Sequence, residues 1–89
     1  MQENNLSIKD QCKVVMITLI DLLNDKKINE AVDYMASFID VDNVDDLTQL
    51  NLTKSILVIT KNHPDENIKS TRAKVKEIHE ELLEKFKNK

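Results

Sequence analysis

The sequence contains no glycine, and this absence has wide consequences. Phosphate-binding loops, dinucleotide-binding turns, tight β-hairpin turns and nucleophile elbows need positive φ angles or close backbone approach, which glycine permits at little cost. A helical domain can do without glycine, because Asn and Asp cap helices and tolerate the left-handed region at turns. The composition therefore favours an all-α fold and argues against an enzyme.

Cysteine, proline and aromatic residues are scarce. Cys12 is the only cysteine, so no disulfide can form within the chain and nothing suggests an oxidising compartment. There is no tryptophan, so we expect an aliphatic core. No apolar run approaches the ~20 residues that cross a bilayer, and the N-terminus lacks the basic and apolar regions of a signal peptide. We therefore expect an intracellular protein without membrane association.

The chain has 89 residues and a mass of 10.3 kDa. This length suits one small domain, so we expect a single helical domain over residues 1–89 with residues 1–6 disordered. Whether the domain is cut from a larger protein is left open. The net charge of −3 is uneven, since residues 1–51 hold four bases against ten acids and residues 52–89 nine bases against six acids.

The spacing of apolar residues predicts a compact bundle of four to five helices. Ser7 can cap a first helix from Ile8 to about Leu23. The apolar residues of this helix cover more than one stripe, which predicts burial on two sides and a central position in the bundle. A second helix begins at about Ile28 and ends near the acidic run at 40–46.

The second half of the chain contains a short and two longer helical patterns. We predict a short third helix at residues 44–50, capped by Asn43, and a fourth helix from about Leu52 to Lys61. The run SILVIT at 55–60 is rich in β-branched residues, but we favour a helix because no partner strand is visible. Pro64 suits the first turn of a long last helix that ends near Lys87.

The spacing of the acidic residues, histidines and cysteine does not match known metal-binding or catalytic motifs. The run DVDNVDD does not match a calcium loop, because Asp45 stands where glycine is expected and Asn51 where a bidentate Glu belongs. His63, His79 and Cys12 do not form a zinc spacing. We interpret His79 as a packing residue and His63 as open to a surface role. No cofactor and no catalysis are expected.

The basic residues of the last helix alternate with glutamates. This pattern is typical of an exposed, salt-bridged helix, for example with Glu81 four residues before Lys85. Aromatic residues are not interleaved with the bases, as they are in many single-strand binders. We therefore expect weak or no nucleic-acid binding.

Three segments resemble the N-terminal domain of the transcription elongation factor TFIIS, also called the LW domain, and its relative, the integrase-binding domain of lens-epithelium-derived growth factor. They are NEAVDYMASF at 29–38, VDDLTQLNLTKSILVITKNH at 44–63 and the ending LLEKFKNK. Phe86 stands in place of the closing aromatic residue. The family pattern places a base at Lys61 and the following residues in the core: Leu47, Leu52, Ile56 and Ile59.

The resemblance implies a rigid, non-catalytic scaffold that binds short disordered motifs, acidic with an embedded phenylalanine, from transcription-elongation or chromatin factors. It implies a site on two interhelical turns. In this chain the first turn is Asn24, Asp25, Lys26 and Lys27, with Asp25 as acceptor for the ligand backbone. The second turn is Lys61, Asn62, His63 and Pro64, without the aromatic wedge of the integrase-binding domain. Lys61 with Lys26 or Lys27 would meet acidic ligand groups.

Two interpretations therefore stand beside each other. In the first, the chain is a monomeric interaction module, nuclear if the resemblance holds and otherwise cytoplasmic. In the alternative, it is a small bacterial or phage helical protein that self-associates or binds a protein partner, with the last helix as the dimer seam. In the alternative, loss of a dimer on a Leu82→Asp change is expected.

Overall fold

The computed structural model describes residues 6–88, which contain four α-helices and no strand. The all-α prediction and the long C-terminal helix are thus confirmed. The prediction for residues 1–6 falls, apart from Leu6, outside the described residues. None of the four helices is long and apolar enough to span a membrane. The helices are α1 Ile8–Asn24, α2 Ile28–Ala36, α3 Asp46–Thr60 and α4 Glu66–Lys87.

Helix α1 begins and ends close to the predicted residues but packs differently. The side-chain oxygen of Ser7 accepts a hydrogen bond from the backbone N–H of Asp10 at 3.1 Å, as an N-cap does. The prediction of burial on two sides is wrong, because α1 packs against α2 and α3 through one face only. Three aliphatic side chains are left 50%, 59% and 39% exposed: Val14, Ile17 and Ile20.

Helix α3 contains two segments that the sequence pattern predicts to be separate helices. The predicted short helix and the helix after it form one continuous helix, Asp46–Thr60, so no separate short helix is present among the described residues. No glycine or proline interrupts the joint, and the side-chain nitrogen of Asn51 donates to the carbonyl of Leu47 at 2.9 Å within the helix. The N-cap is Asp45 rather than Asn43. The run SILVIT is helical, as predicted.

Helix α4 starts two residues after the proline. Asp65 is its N-cap, and its Oδ1 atom accepts hydrogen bonds from the backbone N–H groups of Asn67 at 2.8 Å and Ile68 at 3.1 Å. Pro64 therefore precedes the cap instead of lying in the first turn. Pro64 still prevents α3 from continuing into α4, because proline has no N–H to donate and disfavours the helical conformation of the residue before it.

The helices follow one another as two hairpins, α1 with α2 and α3 with α4. Helix α1 also packs on α3, and α2 on α4, so each helix packs against at least two others. The side-chain nitrogen of Gln49 donates a hydrogen bond to the carbonyl of Phe38 at 3.2 Å, which links the second hairpin to the segment after α2. The core is aliphatic, as expected: Val15, Leu19, Ala31, Met35, Leu52, Ile56, Ile68 and Val75.

Two leucines differ from their predicted environments. Leu47 was assigned to the core by the family pattern, but it is 47% exposed in the first turn of α3. Leu82 was assigned to a dimer seam, but it is only 4% exposed. A Leu82→Asp change would therefore place a charge in the protein interior, and it would report on folding rather than on self-association.

Candidate functional site

The first predicted turn, residues 24–27, closes α1 with a tight backbone motif. The N–H of Lys26 donates to the carbonyl of Leu23 at 3.1 Å, and the N–H of Lys27 donates to that of Leu22 at 2.9 Å. This pair of bonds is a Schellman motif, whose first residue beyond the cap adopts the left-handed conformation. Here that residue is Lys26, with a φ of 61°. The left-handed residue of this turn is thus a lysine, and not the neighbouring Asn24 or Asp25.

The first turn offers charge without an apolar surface of its own. Asn24, Asp25, Lys26 and Lys27 are all exposed. The Asp25 carboxylate makes no hydrogen bond or ion pair within the described residues, so it is accessible to a ligand N–H group. The turn can therefore contribute polar contacts, but it contains no side chain that could anchor an aromatic group.

The second predicted turn, residues 61–64, is held in place by hydrogen bonds from side chains. The Arg72 guanidinium donates to the backbone carbonyls of Thr60 and Lys61, the latter at 2.9 Å. These carbonyls belong to the end of α3, where intrahelical partners are lacking and a positive charge is favoured. Nδ1 of His63 accepts the N–H of Asp65 at 3.2 Å. Lys61, like Asn62 and Pro64, is exposed.

The two turns belong to different hairpins. Within residues 6–88, the hydrogen bonds of the first turn connect it only to α1 and α2, and those of the second turn only to α3 and α4. The predicted site is thus present as two local structures. Among the described residues, no hydrogen bond or ion pair joins the two turns into one site.

A groove between α3 and α4 opens beside the second turn. Its volume is about 550 Å³, and Lys61 belongs both to the turn and to the groove. The lining combines cations, apolar side chains, one imidazole and one carboxylate. The lining residues are Leu57, Lys61, Lys69, Arg72, Ala73, Lys76, His79, Glu80 and Leu83.

Sequence reasoning missed this groove, although one signal was available. Lys69, Arg72 and Lys76 follow the i, i+3, i+7 spacing that places side chains on one face of a helix. Because the bases of this helix alternate with glutamates, the sequence pattern predicts that they are all exposed. Which of them face α3 depends on how the two helices pack, and the local pattern does not contain that information.

His79 is held on the α3 side of α4 by a buried hydroxyl group. Its Nδ1 atom lies 3.1 Å from Oγ1 of Thr53, which is fully buried. Oγ1 of Thr53 also lies 3.0 Å from the backbone carbonyls of Gln49 and Leu50, one turn earlier. The donor in the bond between Thr53 and His79 depends on the tautomer of the imidazole ring. This bond agrees with the interpretation of His79 as a packing residue, and its ring also lines the groove.

One outer face of the C-terminal part of α4 is acidic. Glu77, Glu80, Glu81 and Glu84 line an open depression of about 680 Å³ whose residues all come from this one helix. Lys85 pairs with Asp46 at 3.6 Å, and not with Glu81 as the sequence pattern suggested. Both side chains of this pair are more than half exposed, so the pair adds little stability.

The described residues contain no group of three or more His, Cys, Asp or Glu side chains arranged to hold a metal ion. Comparison of the chain with family models, with curated proteins and with solved structures finds no match. The resemblance to the TFIIS N-terminal domain therefore stays a prediction from the quoted segments.

Proposed function

We propose that this protein is a non-catalytic interaction module that binds short disordered motifs, acidic with an embedded phenylalanine, of transcription-elongation or chromatin factors. The observation that supports the proposal best is the groove beside the second turn. It places the cations of Lys61, Lys69 and Lys76 around apolar side chains, which is the complement of an acidic motif with one aromatic anchor.

The fold suits binding without large conformational change. The helices are capped at Ser7 and Asp65, and the end of α3 is held by Arg72. A disordered partner loses conformational entropy when it binds such a surface, so the affinity depends on a few anchor side chains. We expect a dissociation constant on the order of micromolar.

Both turns contribute to the proposed site. Asp25 accepts a backbone N–H of the ligand, and Lys26 and Lys27 lie beside it. Lys61 pairs with a ligand carboxylate at the other turn, where the exposed residues Asn62 and Pro64 and the half-buried His63 form the rim. All the lining residues of the groove come from one chain, so binding there needs no second copy of the protein. The resemblance to the TFIIS N-terminal domain is the basis for placing this monomeric module in the nucleus, and we expect it to bind no cofactor.

A titration with an acidic, phenylalanine-containing peptide tests the proposal. We expect Asp25→Asn and Lys61→Glu to weaken binding, because each removes one polar contact from an exposed position while the fold is retained. Backbone amide shifts of the labelled protein measure both affinity and location. Lys54→Glu is the control, since Lys54 is an exposed base of α3 outside both turns and the groove.

The outcomes are distinct. Shift changes at residues 24–27, at residues 61–64 or along the groove support the proposal. A peptide series that leaves all these amides unchanged contradicts it. Equal weakening by Lys54→Glu would show that binding follows the total charge and that the proposed site is not specific.

A further inference from the structure

We propose that the acidic motif lies extended along the groove between α3 and α4, with its apolar side chain between the two helices and its carboxylates on Lys69 and Lys76. This inference rests on the proposed function and deepens it. It assigns the ligand to the groove and gives the first turn at most a peripheral contact.

Charge distinguishes the groove from the other surfaces of the molecule. Four of the lining residues are basic, and Glu80 is the only acidic one among the described residues that line the groove. The ammonium groups of Lys61, Lys69 and Lys76 make no ion pair within residues 6–88, so they are available to a ligand. The first turn has two bases and one acid and therefore provides a much weaker positive field.

Apolar side chains give the groove an anchor position. Leu57 is partly buried against the core, and Leu83 is 43% exposed although it is a large aliphatic residue. Together with Ala73 they form the apolar part of the lining. A concave surface with apolar walls and a few polar groups is typical of a binding site, and its volume lies within the usual range of such sites.

Two of the polar side chains are held in position before a ligand binds. The guanidinium of Arg72 is bound to the last carbonyls of α3, and the ring of His79 is bound to the buried Thr53 hydroxyl. Groups that are already ordered lose less conformational entropy on binding than freely rotating ones. The groove therefore combines two fixed polar groups with mobile lysines that can adjust to the ligand.

The geometry of α4 specifies the spacing of the ligand acids. Lys69 and Lys76 are seven residues apart, which corresponds to about 10 Å along a helix. A peptide in the extended polyproline II conformation advances about 3.1 Å per residue with three residues per turn, so carboxylates three residues apart lie about 9 Å apart on the same side and match these lysines. The predicted ligand thus has two acidic residues separated by two positions, one of which carries the apolar anchor.

Synthetic peptides of two designs test this inference by fluorescence anisotropy. One contains phenylalanine between two aspartates at the predicted spacing, and the other has the same composition with the aspartates adjacent. We expect the first to bind more tightly, and Lys69→Glu or Lys76→Glu to weaken it on the order of tenfold each. Lys74→Glu is the matched control, because Lys74 is an exposed base of the same helix outside the groove.

Different results would contradict the placement of the ligand in the groove and the proposed function. If Asp25→Asn abolishes binding while both groove variants bind normally, the ligand lies at the first turn and the inference is overturned, but the proposed function stands. If no acidic peptide binds the folded wild-type protein, the proposed function fails too. If a single-stranded oligonucleotide binds more tightly and shows the same sensitivity to Lys69→Glu, the groove recognises phosphates, and the acidic-peptide placement is wrong.

Discussion

The two hairpins of this protein bury different kinds of side chain. Within the described residues, the buried side chains of the α1–α2 hairpin are all apolar, whereas the α3–α4 hairpin also buries five hydroxyl groups. The buried residues of the first hairpin are Val15, Leu19, Ala31 and Met35. The buried hydroxyl residues of the second are Thr48, Thr53, Ser55, Thr60 and Thr71.

Burial of these hydroxyl groups is tolerated where they bond to the helix itself. Thr60 donates to the carbonyl of Ile56 at 2.8 Å, and Ser55 donates to that of Asn51 at 3.0 Å. A hydroxyl that bonds one turn back needs no partner from another helix. The comparison shows that the second hairpin fills its interior partly with polar groups and has a charged groove, whereas the buried side chains described for the first hairpin are all apolar.

The largest expected effect concerns the interiors of the two hairpins. We expect Leu19→Ala in α1 and Ile56→Ala in α3 each to lower the free energy of unfolding by about 2–5 kcal/mol, because both side chains are fully buried. Urea unfolding followed by circular dichroism measures this. The controls are Ile17→Ala and Val58→Ala, at 59% and 56% exposure, which should change stability little. A loss for Ile17→Ala equal to that for Leu19→Ala would mean that α1 is buried on both faces.

A smaller effect is expected at the helix N-termini of the second hairpin. Asp65→Ala removes an acceptor for two backbone N–H groups, so we expect a loss of about 1–2 kcal/mol. Asp45, the N-cap of α3, makes no side-chain cap hydrogen bond, so Asp45→Ala should cost only a few tenths of a kcal/mol, about the size of a charge–dipole term. Thermal unfolding compares the two variants, and equal losses would contradict the difference in capping.

An effect smaller than that of Asp65→Ala, and the only stabilising one, is expected at the first turn. Lys26 has a φ of 61°, where a side chain is disfavoured and glycine is not. Lys26→Gly should raise the free energy of unfolding by about 0.5–1 kcal/mol. Asp25→Gly serves as the control, because its φ of −84° suits any residue and glycine only adds freedom to the unfolded chain. Stabilisation by both variants would argue against the left-handed conformation at Lys26.

Local patterns in the sequence predicted much of the fold but only part of the candidate site. The cap at Ser7, the end of α4 near Lys87 and the helical state of residues 55–60 follow from rules that act within a few residues. The break expected before Leu52 is absent, because the helical propensity on both sides continues across Asn51. The two turns were located correctly along the chain, but the groove beside the second turn was not visible.

The sequence by itself determined that this protein is helical, that its core is aliphatic and that its chain turns near residues 25 and 63. These properties depend on composition, on periodicity and on contacts of one helical turn. The tertiary structure alone decided which side of α1 faces solvent and which bases of α4 face α3. The physical reason is distance along the chain, since the contacts that shape the groove, Arg72 with Thr60 and His79 with Thr53, join residues 12 and 26 positions apart.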